Sequence, residues 1–216
     1  MKTVSYNEHL AALPSSGKHI VGQFDKHAVV VYQEFNRQIA EPALQHQKFV
    51  SPFCFDRLSW IKTNFMWMMF RSDWGRFSDY VLAIHIKRGA FETILQRAVP
   101  AKYDRLLYTK PAQWRKDLKQ SDIRYQWDPE HDPYGKRMHR KALQIGLSGE
   151  ALRQYATEWI VEIRDVTSFV HAQLPAVKAS DHNKLQVPLE KVFTPQEDKT
   201  SQKLTLSTTY SSPLGT

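Results

Sequence analysis

Between Ser59 and Gly75 the chain reads SWIKTNFMWMMFRSDWG, and no other window is so apolar while carrying cations at fixed places. It holds three of the six tryptophans and three of the five methionines, with two phenylalanines, Lys62 and Arg71. Thr63 or Asn64 supplies a side-chain oxygen that can cap a helix running from Phe65 to about Ser72. A helix that is apolar nearly all round has to be buried. Its presence therefore demands a fold with surfaces to enclose it. Periodicity alone also admits a short strand over the same run.

The flanking segments supply those surfaces. His19 to Phe24 and Ala28 to Tyr32 are β-branched and aromatic runs separated by Asp25-Lys26-His27, which predicts a hairpin. Asn36 caps a following helix that Pro42 limits or bends. Tyr80 to Ile86 is the clearest strand and is expected at the centre of a sheet. Gly89 to Ala98 and a segment capped at Thr109, with Pro111 early, read as helices. Asp122 to Trp127 alternates as a half-buried strand, Asp128 to Gly135 reads as a loop, and Arg140 to Leu147 as another strand. Leu152, Tyr155, Trp159, Ile163 and Val166 then form an amphipathic stripe on a helix capped by Ser148.

Strands alternate with helices, but the first pair is a hairpin. The fold class expected is α+β: one domain with a mixed, largely antiparallel sheet of about five strands packed by helices, followed by a flexible C-terminal tail. The core is placed at residues 18–170. Residues 1–17 read as a loose arm, 171–193 as a partly ordered extension, and 194–216 as a disordered tail rich in Ser, Thr, Gln and Lys.

Composition narrows the function classes. At 216 residues, with 42% hydrophobic and 12% aromatic content, the chain can bury a core. No window is long and apolar enough to span a membrane, and the N-terminus lacks the apolar region of a secretory signal. The lone Cys54 fits a reducing compartment, so the cytoplasm is expected. A formal net charge of +8 favours a polyanionic partner, such as a nucleotide or nucleic acid. There is no GxxxxGK[ST], no GxGxxG after a strand, and no CxxC or HExxH. His131 and His139 flank Asp132 at a spacing that matches no ligand motif, so no metal is expected.

Three constellations remain. Trp60, Lys62, Trp67, Arg71 and Trp74 combine stacking rings with cations. On a helix Trp67 and Arg71 share a face, and Lys62 precedes the exposed N–H groups of the helix start. That set suits a phosphate-bearing, base-containing ligand. The competing reading is a core helix whose Arg71 pairs with one carboxylate while Lys62 snorkels to solvent. The second is Gln126-Trp127-Asp128-Pro129-Glu130, a strand end presenting two carboxylates. Asp128 or Glu130 can act as a general base or orient a ribose hydroxyl, or both can serve turn chemistry alone. The third joins Arg140 and Gln144, on one face of their strand, with Tyr32 and Gln33 at the end of the hairpin. Glutamines on apolar strands must find partners in a ligand or in neighbouring backbone.

As an ordered set, VYQEFN at 31–36, SWIKTNFMWMMFRSDWG at 59–75, VLAIHI at 81–86, YQWDPEHD at 125–132, and LQIGLSGEAL with WIVEIRDVT at 143–167 resemble the family catalogued as domain of unknown function 4291. The resemblance runs from about residue 18 to 170. It implies that Tyr32, Gln33, Trp60, Lys62, Arg71, Gln126, Trp127, Asp128, Glu130 and Gln144 occupy recurrent motif positions. Thr63-Asn64 departs from the Pro-Ser expected after the lysine, although either pair can start a helix. His131 stands where arginine is expected, which removes support for an anion-binding role at that position. The Tyr-Gln strand end and the late Glu are similar, at fold level, to ADP-ribosyltransferase-like enzymes.

The expected function is therefore an enzyme acting on a nucleotide or nucleic-acid substrate, with transfer of a group from NAD as one form. Lys62 and Arg71 would hold phosphate, a tryptophan would stack on a base, and Glu130 or Asp128 would supply the carboxylate. Two alternatives stand beside it. One is a non-catalytic nucleic-acid-binding module using the basic runs Lys102–Arg124 and Lys136–Lys141. The other is a protein-interaction domain with an inert core.

Overall fold

The computed structural model describes residues 1–207. Strand β1 (Thr3–Ser5) and helix α1 (Tyr6–Ala12) come first, then β2 (Gly17–Lys18), β3 (Ile20–Gly22), β4 (Ala28–Phe35), α2 (Arg37–His46), β5 (Ser59–Lys62) and α3 (Phe65–Ser72). They are followed by β6 (Tyr80–Lys87), α4 (Arg88–Arg97), β7 (Val99–Pro100), α5 (Pro111–Gln120), β8 (Ile123–His131), β9 (Arg137–Leu147) and α6 (Gly149–Gln154). A π-helical turn at Tyr155–Trp159 leads to β10 (Ile160–Asp165), α7 (Thr167–Lys178), β11 (Gln186–Pro188), β12 (Lys191–Phe193) and α8 (Asp198–Lys203).

The continuous apolar runs of β4 and β6 are what strands covered on both faces require. They pair antiparallel along their whole lengths in an eight-stranded sheet, where β6, expected at the centre, is second from one edge with only β10 outside it. Its order is β10-β6-β4-β5-β9-β8-β7, with β2 also lying along β9. Only the β2–β9 and β7–β8 pairings are parallel. Two small sheets, β1–β11 and β3–β12, stand beside it. One face packs against α2, α4, α6 and the π-helical turn through Ala40, Phe91, Leu95, Leu152 and Tyr155. The other face packs against α3, α7 and α1 through Phe65, Met68, Val170 and Tyr6. The protein is thus a single α+β domain, as expected, with a larger sheet than the five strands anticipated.

The central helix forms where its sequence places it. Asn64 accepts a hydrogen bond from the Trp67 N–H at 2.7 Å, and Asp73 closes the other end in the left-handed region. A residue far along the chain completes the cap: Oε1 of Glu190 accepts the Phe65 N–H at 2.8 Å. Met66, Met68 and Met69 are buried, as an all-round apolar helix demands.

Several expectations need correction. The first hairpin is only partly formed, because β3 leaves β4 after the Phe24–Val29 bridge and pairs with β12. Residues 1–17, expected as a loose arm, carry β1 and α1. There Ser5 and Glu8 form a reciprocal capping box and Tyr6 is buried. The first half of the segment 128–135 is strand, since β8 runs on to His131 opposite β9, and only 132–135 form the turn. The stripe from Leu152 to Val166 is not one helix. The helix ends in the π-helical turn and β10 then pairs with β6, because the bare edge of a buried strand leaves backbone groups that only another strand satisfies. Beyond residue 170, α7 and both small sheets continue the fold. Helix α8 falls within 194–216, the expected disordered tail, and residues 208–216 of that tail lie outside the described residues. Among the described residues no helix is long and apolar enough to cross a membrane.

Candidate functional site

The sheet register assembles one polar row across four strands. Gln126 on β8 is opposite Gln144 on β9, Gln144 is opposite Lys62 on β5, and Lys62 is opposite Tyr32 on β4. Side chains two residues apart share a face, so Asp128, Trp60 and Glu34 join the row on the side covered by α3. Strands β4 and β5 pair only at Tyr32 and Lys62. Beyond that pair the strands part, and the side chain of Gln33 spans the gap. Its amide nitrogen donates to Ser59 Oγ at 2.9 Å and to the Trp60 carbonyl at 3.2 Å, while its oxygen accepts from Tyr155 at 2.8 Å. A cleft of about 550 Å³ opens there, floored by Lys62, Gln126, Gln144 and Asp128, with Trp67 and Arg71 of α3 above.

Lys62 is the unusual group. It is only 9% exposed, and its ammonium makes no hydrogen bond or ion pair with any described residue. Burial, and then the positive charge of Arg71, push its pKa down to about 8, against the opposing pull of Glu34 and Asp128. Arg71 is exposed at the cleft and also has no partner among the described residues. Glu34 is held above the usual carboxylate range by burial, offset by Lys62, a Ser78 hydrogen bond and Arg71. Asp128 accepts from Gln126 Nε2 at 2.7 Å and from Gln144 Nε2, which leaves both glutamine carbonyl oxygens unused by the described residues.

The two tryptophans differ. Trp60 is half-buried and lies beside Gly146, whose missing side chain makes its place; a Cβ there would come 3.2 Å from Trp60 Cζ3. Trp67 is buried, with Phe70 and His131 stacked at 5.3 Å each, and its Nε1 has no partner. Trp60 is therefore the ring left open for stacking. Trp74 does not line the cleft; its Nε1 donates to the Pro133 carbonyl.

Eight of the residues singled out from the sequence line this cleft: Gln33, Trp60, Lys62, Trp67, Arg71, Gln126, Asp128 and Gln144. Tyr32 is fully buried beneath it, with its hydroxyl donating to Gln23. Glu130 and Arg140 lie elsewhere, in a buried ion pair with two hydrogen bonds of 2.6 Å, and Arg140 also donates to the Pro14 carbonyl. Both are 1% exposed, so the Glu130 oxygens face Arg140 and not the cleft. Glu34, Arg57 and Ser59 also line the cleft and were not anticipated. Glu34 was within reach of strand periodicity, two residues after Tyr32. Arg57 comes from a loop that offered no pattern. Among the described residues no group of three potential metal ligands converges.

A family model described as domain of unknown function (DUF4291) matches residues 19–193. That span reaches β12 and includes every cleft residue. No curated protein matches the sequence.

Proposed function

The chain belongs to the DUF4291 family, and for this member we propose that the cleft binds a nucleotide-class ligand on which the protein acts as an enzyme. The observation that carries this reading is Lys62. The Lys62 side chain is largely buried with no hydrogen bond or ion pair to any described residue. Its charge is only partly offset by Glu34 and Asp128, and a phosphate bound in the cleft would add counter-charge. Arg71 and Arg57 stand at the same opening and add donors for phosphate oxygens. Trp60 offers a ring face to a base, and the free carbonyl oxygens of Gln126 and Gln144 can accept from ribose hydroxyls or base amino groups.

The carboxylates assigned to the chemistry are Asp128 and Glu34. Asp128 is oriented by two amide donors, and burial holds the Glu34 carboxyl above the usual carboxylate range, which favours proton exchange there. With NAD as the ligand, the bond from the ribose carbon to nicotinamide would break and a nucleophile of the acceptor would bond to that carbon, with Asp128 stabilising the positive charge developed there or taking the proton of the nucleophile. Glu130 takes a structural part in this reading, through Arg140.

A second reading has its own observation. A groove of about 490 Å³ collects Lys18, Lys102, Arg105 and Lys141 with Tyr103 and Trp127, against the single carboxylate of Asp104. It suits a non-catalytic nucleic-acid surface. The inert-core reading has no comparable support, because the cleft is a polar concavity. Thermal-shift measurements with inorganic phosphate, ADP and NAD separate these readings. A rise in melting temperature with a nucleotide, lost in Arg71→Ala and kept in Lys116→Ala, supports the cleft. A rise kept in Arg71→Ala, or none with any nucleotide, removes it.

A further inference from the structure

Beside the cleft, on the far side of α3, runs a larger groove of about 810 Å³. Arg71 lines both. The partition between them is the ring stack Trp67, Phe70 and His131, in which Phe70 and His131 lie 3.5 Å apart and 2° from parallel. Trp67 faces the cleft and Phe70 faces the groove. Three consecutive left-handed residues, Asp73, Trp74 and Gly75, then reverse the chain. The Trp74 Nε1 hydrogen bond to Pro133 holds this reversal against the β8–β9 turn. One wall thereby carries Phe77 and the other Tyr134.

Those rings are out of place for a passive surface. Among the described residues the exposed large apolar side chains include three aromatic ones, Phe70, Phe77 and Tyr134, and all three line this groove. Phe77 is 71% exposed and makes no ring contact with any described residue. Tyr134 has one face against His182. Arg76 and Lys178 line the groove with them. Of its two carboxylates, Asp73 is in an ion pair with Arg76 at 2.7 Å that engages both charges, and Asp132 accepts the N–H groups of Tyr134 and Lys136 at 2.9 Å, which leaves Arg71 and Lys178 as the unpaired cations among the described residues.

We propose that the groove is a second subsite for single-stranded nucleic acid, which takes the nucleotides flanking the one held in the cleft. Open aromatic faces interleaved with cations bind unpaired bases and backbone phosphates, and a duplex hides those base faces. Arg71, unpartnered between the two depressions, is placed to hold the phosphate that joins them. The substrate of the cleft is then a nucleotide within a strand, a deepening that rests on the nucleotide reading above.

The test compares a fluorescein-labelled decamer of RNA, the same decamer of DNA, its duplex, and ADP, by anisotropy for the oligomers and calorimetry for ADP. A single-stranded decamer is expected to bind at least tenfold more tightly than ADP and than the duplex. Phe77→Ala, a change at an exposed position, is expected to weaken the decamer about tenfold and to leave ADP unchanged, whereas Arg71→Ala weakens both. A preference for RNA or for DNA identifies the polymer and supports the proposal. ADP binding without tighter decamer binding overturns the groove and leaves the cleft reading intact. No binding of either probe removes both. Duplex binding as tight as single-strand binding overturns the stacking role. So does self-association of the protein that Phe77→Ala abolishes, which would assign the groove to a second copy of the chain.

Discussion

Replacing Lys62 with methionine keeps the reach of the side chain and removes its charge. In the folded protein the ammonium is pressed from 10.5 to about 8 by burial and by Arg71. At about 1.36 kcal/mol per pH unit, that fall makes the charged form cost roughly 3 kcal/mol of folding stability. The sign follows from proton counts. Between about 8 and 10.5 the folded state binds fewer protons than the unfolded state, so this group's contribution to stability rises with pH across that window. Below about 8 both states are charged and the full penalty stands; above about 10.5 it is gone. Lys62→Met is therefore expected to be more stable than the wild type by roughly 3 kcal/mol at pH 7, with the difference shrinking as pH passes 8 and approaches 10.5. Urea unfolding at a series of pH values measures it, as a midpoint shift at constant slope. The same variant should lose the thermal shift with nucleotides. A variant no more stable than the wild type at pH 7, or a gain that does not decline towards pH 10, would refute the unpaired charge as the source. A stabilised variant that still binds nucleotide would separate Lys62 from the site.

Further outcomes follow from the same geometry. Arg140→Met leaves Glu130 buried without its cation and is expected to destabilise by about 3–5 kcal/mol in urea, with nucleotide affinity of the remaining folded protein unchanged; a loss of affinity without a loss of stability would return Glu130 and Arg140 to the site. Gly146→Val brings a Cβ to 3.0 Å from Leu58 Cδ1 and 3.2 Å from both Arg124 Cγ and Trp60 Cζ3, which crowds the Trp60 ring, and should weaken nucleotide binding while wild-type-like circular dichroism shows an intact sheet. His9 is buried, neither ring nitrogen has a hydrogen bond, Nε2 stands 4.0 Å from Glu190 Oε2, and burial followed by the Arg140 charge lowers its pKa to about 3. Its folded state takes up fewer protons than the unfolded state between about 3 and 6.5. Stability present above 6.5 is thus lost as pH falls, by up to about 5 kcal/mol, and a His9→Phe variant should show a flatter acid limb in pH-dependent unfolding.

The elements that depend on local chemistry are legible in the sequence. Asn64 caps α3 because its side chain reaches the Trp67 N–H within one turn, and the apolar runs of β4 and β6 have few alternatives to a doubly covered strand. Eight cleft residues were found for the same reason, since strand and helix periodicities assign faces. The failures came where a distant segment decided the outcome. The Leu152–Val166 stripe is equally periodic as helix or as interrupted helix and strand, and the open edge of β6 chose the latter. Residues 1–17 looked polar and loose, yet Arg140 donates to Pro14 and Tyr6 completes the core beneath α3.

By itself, the sequence between Ser59 and Gly75 determined that a buried apolar helix starts after Asn64 and that two cations flank it. Only the tertiary structure decided what those cations meet. It aligned Gln126, Gln144 and Lys62 in one row, left Lys62 near Glu34 and Asp128 but in an ion pair with neither, and turned Glu130 away to neutralise Arg140. Pairing of buried charges depends on which strands become neighbours and in what register, and those contacts join residues too far apart in the chain for any local pattern to record.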